Sequence, residues 1–269
     1  MTARAKGASD VGEQHLFVEK EGAVATIVLN RPEKRNALNL EMWGTLSTLL
    51  QQLEEDRETK VVVIRGVDDT AFSAGADISE FVSNRFSPEQ AKRYNDQSMG
   101  AVDRLHRFPK PTIAMIQKYA VGGGLDIALS CDFRFSSEDG VFAITPAKLG
   151  IVYNLTSTKR LVDLVGPSRT KEILYTARSL DAHEAYRIGL VDRIYSQDEI
   201  VGQTYAFARL LTERSQVSIR GTQKMVQAIL DGHIEESPEL AQMVLESFHS
   251  EDYREGVQAF LEKRKPRFS

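Results

Sequence analysis

Cysteine and long apolar runs are scarce in this 269-residue chain, and each scarcity narrows what it can be. A single cysteine, Cys131, leaves no internal disulfide to form, so no disulfide scaffold supports the fold. No apolar run reaches the ~18 residues that a membrane-crossing helix needs. A basic excess is also missing: 34 Lys and Arg stand against 38 Asp and Glu, a formal charge of −4. That balance argues against a nucleic-acid surface. The only basic cluster, Lys263-Arg264-Lys265 with Arg267, sits at the C-terminal end, where its own residues fit a solvated tail as well as a ligand contact. His15, His106, His183, His233 and His249 show no metal-ligand spacing and read as structural or surface residues, with no metal expected. Residues 1–14 lack the apolar stretch of a signal peptide and read as a disordered leader on a cytoplasmic protein.

What is present is an ordinary globular composition, 42% hydrophobic and 27% charged, long enough to bury a sizeable core. His15–Lys20 and Ala23–Asn30 predict a hairpin turning at Glu21-Gly22. A helix is predicted from Asn39 to Asp56, with Met42, Leu46, Leu49, Leu50 and Leu53 on one face. Lys60–Arg65 is a β-branched run of the kind buried on both faces of a sheet. A helix opened by Ser87-Pro88 stops before Pro109 and Pro111, and strands follow at Thr112–Gln117, Asp132–Ser136 and Val141–Ala143. From Thr156 onward the pattern predicts helices throughout, including Thr156–Val165 and Pro167–Ala177. Strands alternating with helices and then a helical run imply an α/β core, residues 15–197, followed by a helical region, residues 198–269.

Two segments carry the chemistry: Ala71-Phe72-Ser73-Ala74-Gly75-Ala76-Asp77 and Val121-Gly122-Gly123-Gly124-Leu125-Asp126. Each sets small residues where the chain leaves an apolar stretch, so backbone N–H groups can approach a ligand unobstructed. Two such donors aimed at one point would form an oxyanion hole. A dinucleotide site competes for the second segment, but the triplet lacks G-x-G-x-x-G spacing and the acidic residue that closes a second strand. Ser73 sits in no G-x-S-x-G elbow, and Asp77 reads as the cap of a short helix over 78–81.

Together with Leu29-Asn30-Arg31-Pro32-Glu33-Lys34-Arg35-Asn36-Ala37-Leu38, Ala185-Tyr186-Arg187-Ile188-Gly189-Leu190-Val191 and Ala259-Phe260-Leu261-Glu262-Lys263-Arg264-Lys265-Pro266, these segments resemble the crotonase superfamily (enoyl-CoA hydratase/isomerase). The resemblance runs from Phe17 to Phe268. It implies a crotonase-like spiral of ββα units with a C-terminal helical region that builds homotrimers, often paired into hexamers. It implies an acyl-CoA substrate, no cofactor beyond that coenzyme A, and a thioester oxygen held by the N–H groups of Ala76 and Gly123. Ala74 and Ile78 would line the substrate's path, Lys34 and Arg35 would meet the CoA phosphates or adenine, and Phe260 and Lys263 would reach a CoA on a neighbouring subunit.

Hydratases of this superfamily place two glutamates around one water. The first position falls on Asp126, which keeps a carboxylate but shortens its reach by about 1.5 Å. The second falls on Pro146, whose side chain cannot move a proton. The stretch from Phe142 to Leu155, with Thr145-Pro146, Leu149-Gly150 and Tyr153-Asn154-Leu155, is similar to the methylmalonyl-CoA decarboxylase branch, which implies a site role for Tyr153. That branch carries histidine where this chain has Ala76, and an ionised Asp126 would repel a substrate carboxylate. Hydration or isomerisation through Asp126, decarboxylation with Tyr153, and acyl-CoA binding without turnover all follow from these residues.

Overall fold

A computed structural model describes residues 14–268, so the expected leader lies outside the described residues except for Gln14. The strands in chain order are β1 (Leu16–Glu21), β2 (Val24–Leu29), β3 (Val61–Gly66), β4 (Thr112–Ile116), β5 (Tyr119–Val121), β6 (Phe133–Ser137), β7 (Val141–Ala143), β8 (Leu180–Asp181) and β9 (Arg193–Tyr195). The helices are α1 (Leu40–Glu55), α2 (Phe81–Asn84), α3 (Pro88–His106), α4 (Gly123–Leu129), α5 (Pro146–Leu149), α6 (Leu155–Thr176), α7 (Ala182–Arg187), α8 (Ile200–Thr212), α9 (Gln216–Leu230), α10 (Pro238–Ser247) and α11 (Glu251–Leu261). None of the described helices is long and apolar enough to cross a membrane.

The larger sheet runs β1-β2-β3-β4-β6-β9 and the smaller one β5-β7-β8. In the larger sheet only β1 and β2 pair antiparallel. Gly22, at φ +57, turns the hairpin at Gly22-Ala23, one residue later than expected, because Glu21 still pairs with Val24. The β-branched run forms β3, and its alternation divides it between two cores. Val62 and Ile64 pack with α1, α3 and α4, whereas Val61 and Val63 pack with Ile200 and Ala208 of α8. A strand covered on both faces has no need of polar residues, which explains its sequence.

Helix ends follow their caps. Asn39 accepts from the Met42 amide to open α1, and a reciprocal Ser87–Gln90 capping box opens α3 with Pro88 in its first turn. Gly166, at φ +77, interrupts α6 at the position where two helices were expected to meet.

The structure corrects the expectation of helices only after Thr156: β8 pairs with β7, and β9 pairs with β6 to extend the larger sheet. Strands this short carry no readable periodicity, and both are held by partners distant in sequence. The same reason hides β5. The boundary placed near residue 197 falls in the turn between β9 and α8.

Candidate active site

Backbone pairing, not side-chain packing, brings the two glycine segments together. Ser73 lies beside Ala120: its N–H donates to Tyr119 O at 2.8 Å, and the Val121 N–H donates to Ser73 O at 3.0 Å. On its other side the segment pairs with Leu38, whose N–H donates to Gly75 O at 2.7 Å while its carbonyl accepts from Asp77 N–H at 2.9 Å. All described peptides are trans, so the Ala76 N–H points opposite to the Gly75 carbonyl, away from Leu38. Gly75, at φ +98, packs against the start of the second segment. A Cβ there would stand 2.6 Å from Val121 O and 3.5 Å from Gly123 N. Gly123 opens α4, where helical N–H groups lack intrahelical acceptors. Among the described residues, neither the Ala76 nor the Gly123 amide donates to a protein acceptor.

Ala76 and Gly123 both line one cavity of ≈ 220 Å³. Ala74, Ile78, Asp126, Pro146 and Tyr153 line it too, so seven residues named from the sequence converge there. Among the described residues Asp126 is its only acidic lining residue, and it sits in the first turn of α4. Its Oδ2 accepts from Ser157 Oγ at 2.7 Å, its Oδ1 has no hydrogen bond, and Arg160 Nη1 lies 3.7 Å from Oδ1. Burial raises the Asp126 pKa, opposed by the Ser157 hydrogen bond and the Arg160 charge. Arg160 is itself buried and also donates to Asp103, so it is shared between two carboxylates. The Tyr153 hydroxyl is buried without a hydrogen-bond partner, and burial with the nearby Asp126 charge raises its pKa well above the usual value.

Other named residues lie elsewhere. Arg35, in the αL conformation, reaches over the Tyr119 ring (5.3 Å to the centroid) and lines a separate polar groove with Lys118 and Asp139. Its carbonyl accepts from the Ala74 amide at 2.9 Å, tying that turn to the cavity wall. Lys34 is exposed on the same turn. Phe260, 83% exposed, and Lys263 lie at the end of α11 outside the cavity lining. Asp77 caps the short helix as expected, accepting from the Ser79 amide, and also pairs with Arg31 at 2.7 Å. A larger apolar cavity of ≈ 560 Å³ lies between α9 and the end of α4; Arg160 lines it, but none of the site residues expected from the sequence does.

Sequence reasoning missed Trp43, Tyr94, Arg85, Ser157 and Arg160. Ser157 and Arg160 are one helical turn apart, and Asn154 fixes their start by capping α6; that capping pattern is a readable signal. Trp43 and Tyr94 follow the apolar spacing of α1 and α3 and look like core alone. In fact Trp43 Nε1 donates to Tyr94 Oη at 3.1 Å, and its ring lies 3.0 Å from where a Gly123 Cβ would stand. Because Trp43 is the only tryptophan, entry of a ligand beside Gly123 should change the protein's intrinsic fluorescence. A saturable change with an acyl-CoA, absent in Trp43→Phe, would confirm this; an unchanged spectrum at saturation by calorimetry would refute it.

Strand-and-helix units coiled around a mixed sheet, with two glycine segments meeting in one cavity, define the crotonase fold. The enoyl-CoA hydratase/isomerase family model matches residues 19–269, and the chain belongs to that family. It is 31% identical to a short-chain-enoyl-CoA hydratase of Clostridium acetobutylicum, covering 93% of this chain and 96% of that one. It is also 31% identical to a crotonyl-CoA hydratase of Syntrophomonas wolfei, covering 95% and 98%. The crystal structure of an enoyl-CoA hydratase/isomerase family protein from Hyphomonas neptunium superposes with a TM-score of 0.93 at 37% identity, covering 95% of this chain and 98% of that one.

Proposed function

We propose that this chain stabilises the enolate of an acyl-CoA thioester between the amides of Ala76 and Gly123 and moves protons with Asp126 alone, which is isomerase-type chemistry. The observation that carries the reading is that, among the described residues, Asp126 is the single carboxylate lining the cavity. In the proposed reaction the Asp126 carboxylate removes a proton from the α-carbon, which lies between the thioester carbonyl and a β,γ-double bond. The C–H electron pair enters a dienolate whose charge rests on the thioester oxygen, and the resulting carboxylic acid returns the proton to the γ-carbon as that charge flows back to leave an α,β-double bond. One group of raised pKa suffices, since it accepts and donates in turn. Hydration needs a second group to work on the water, and Pro146 stands at that position. The chemistry draws on no cofactor beyond the substrate's own coenzyme A.

A second reading is favoured by the unpartnered Tyr153 hydroxyl next to Asp126. In decarboxylation the bond to the departing carboxylate breaks, its electrons enter the enolate, and a protonated Asp126 or Tyr153 supplies the proton to Cα. No base is required, and the oxyanion donors supply most of the stabilisation.

Phe260 and Lys263 are assigned to the CoA of a neighbouring subunit in a homotrimer or a pair of trimers. Their exposure, and that of Phe248, Tyr253 and Leu261 nearby, supports this. Lys34 and Arg35 are assigned to the CoA phosphates or adenine.

Incubation with a 3-enoyl-CoA, crotonyl-CoA and methylmalonyl-CoA, followed by chromatography and mass spectrometry, separates the readings. Double-bond migration without gain of water is the expected result. Loss of CO₂ from methylmalonyl-CoA alone would replace it with the second reading. Tight binding with no turnover of any substrate would make the chain an acyl-CoA-binding protein.

A further inference from the structure

Arg85 follows α2 and lines the same cavity as Asp126 and the two glycine segments. It is half-buried, yet among the described residues no carboxylate lies within ion-pair distance of it. Other sheltered arginines are paired: Arg31 with Asp77, Arg134 with Asp192, and Arg160 with Asp103. Among the described residues the one hydrogen bond of the Arg85 side chain runs from Nη2 to Asn95 Oδ1, a neutral acceptor, at 2.6 Å. Nε and Nη1 donate to no protein group among the described residues.

The guanidinium is also held in place. It stacks over Tyr94, 4.3 Å from the ring centroid, and over Phe81 at 4.7 Å. Tyr94 is bonded to Trp43, and Trp43 lies against Gly123. A continuous wall of rings therefore fixes the cation relative to the proposed thioester site. Its aromatic bed supplies some attraction but no charge. Burial lowers the Arg85 pKa, as it does for a cation lacking a counter-charge. A neutral acyl group would leave this cation partly desolvated, whereas an anion would accept from both free donors.

We propose that Arg85 is a specificity residue that receives a carboxylate carried on the acyl part of the substrate, so that the acyl-CoA taken is an acidic one. This rests on the acyl-CoA reading of the cavity and adds the substrate class to it. The CoA phosphates are the competing source of negative charge, but Arg35 and Lys118 line a different groove. Repulsion from Asp126 is offset by the Ser157 hydroxyl, which donates to its Oδ2, and by the Arg160 guanidinium 3.7 Å from its Oδ1.

The test measures dissociation constants of succinyl-CoA, methylmalonyl-CoA, butyryl-CoA and free coenzyme A by calorimetry, for the full chain and for Arg85→Gln and Arg85→Lys. Charge-assisted pairs of this kind correspond to about tenfold to hundredfold in affinity. The expected result is a loss of that size in Arg85→Gln for at least one of the two acidic thioesters. Butyryl-CoA and coenzyme A should stay within about threefold, and Arg85→Lys should restore part of the loss. Equal weakening of every ligand, coenzyme A included, would place Arg85 on the CoA phosphates or in the scaffold and overturn the proposal, as would no change at all. If the parent chain binds no CoA thioester, the acyl-CoA reading falls and takes this proposal with it. Uniform weakening would sink the Arg85 assignment alone.

Discussion

Asp126→Asn is expected to lower kcat about 10²–10⁴-fold, the range that one positioned proton-transfer group contributes. Asparagine keeps the shape of the side chain and can still meet Ser157, so acyl-CoA affinity should stay within a few-fold. A loss confined to kcat is what separates chemistry from binding. The same substitution should stabilise the fold. Burial raises the Asp126 pKa, so the folded state holds this proton more tightly than the unfolded chain, whose value is about 3.9. Stability therefore falls as pH rises from about 4 through the raised folded value, and it levels off above that. Asparagine has no such proton. The melting temperature of Asp126→Asn should exceed that of the parent at neutral pH, and the gap should close as pH falls toward about 4. Arg160 keeps Asp103 as its partner in the variant, so no buried cation is abandoned. Full activity in Asp126→Asn would remove the carboxylate from the mechanism. A melting gap independent of pH would show that its ionisation is not what costs stability.

Gly75→Ala should have a comparable effect through the backbone. At φ +98 a side chain is strained, and a Cβ would meet Val121 O at 2.6 Å, so one glycine segment must move away from the other. Because the Ala76 amide follows directly, a shift there misplaces one of the two proposed oxyanion donors. Loss of one such donor lowers kcat about 10²–10³-fold. Gly22→Ala is the control. Gly22 also has positive φ, but a Cβ there meets nothing within 4 Å, and the hairpin turn is outside the cavity lining. Both variants should melt at lower temperature than the parent. Only Gly75→Ala should lose turnover beyond what its folded fraction explains. Equal specific activity in the two variants would separate the glycine contact from catalysis.

Arg85 was the residue hardest to read in the linear sequence. Nothing in Asn84-Arg85-Phe86-Ser87 distinguishes it from a solvated arginine ahead of a capped helix. Its meaning comes from what the fold withholds, since the carboxylates that answer other sheltered arginines are not near it. Arg160 is the opposite case. Its placement one turn after Ser157 was available in the helical spacing of α6, yet its two acidic partners, Asp103 and Asp126, come from different helices. β8 and β9 escaped notice because strands of two or three residues carry no period and owe their form to distant partners.

The sequence by itself determined the long elements, their caps and the two glycine segments, because each depends on local periods, single capping side chains or the absence of a Cβ. It also determined that Pro146 cannot move a proton, which follows from residue chemistry alone. Only the tertiary structure decided that Leu38 and β5 grip the Ala71–Asp77 segment from opposite sides, so that the Ala76 amide points away from Leu38. It alone decided that Asp126 is buried beside Ser157 and Arg160 and that Arg85 shares its cavity. The physical reason is that burial and charge pairing are sums over neighbours brought in from far along the chain, and no local pattern carries them.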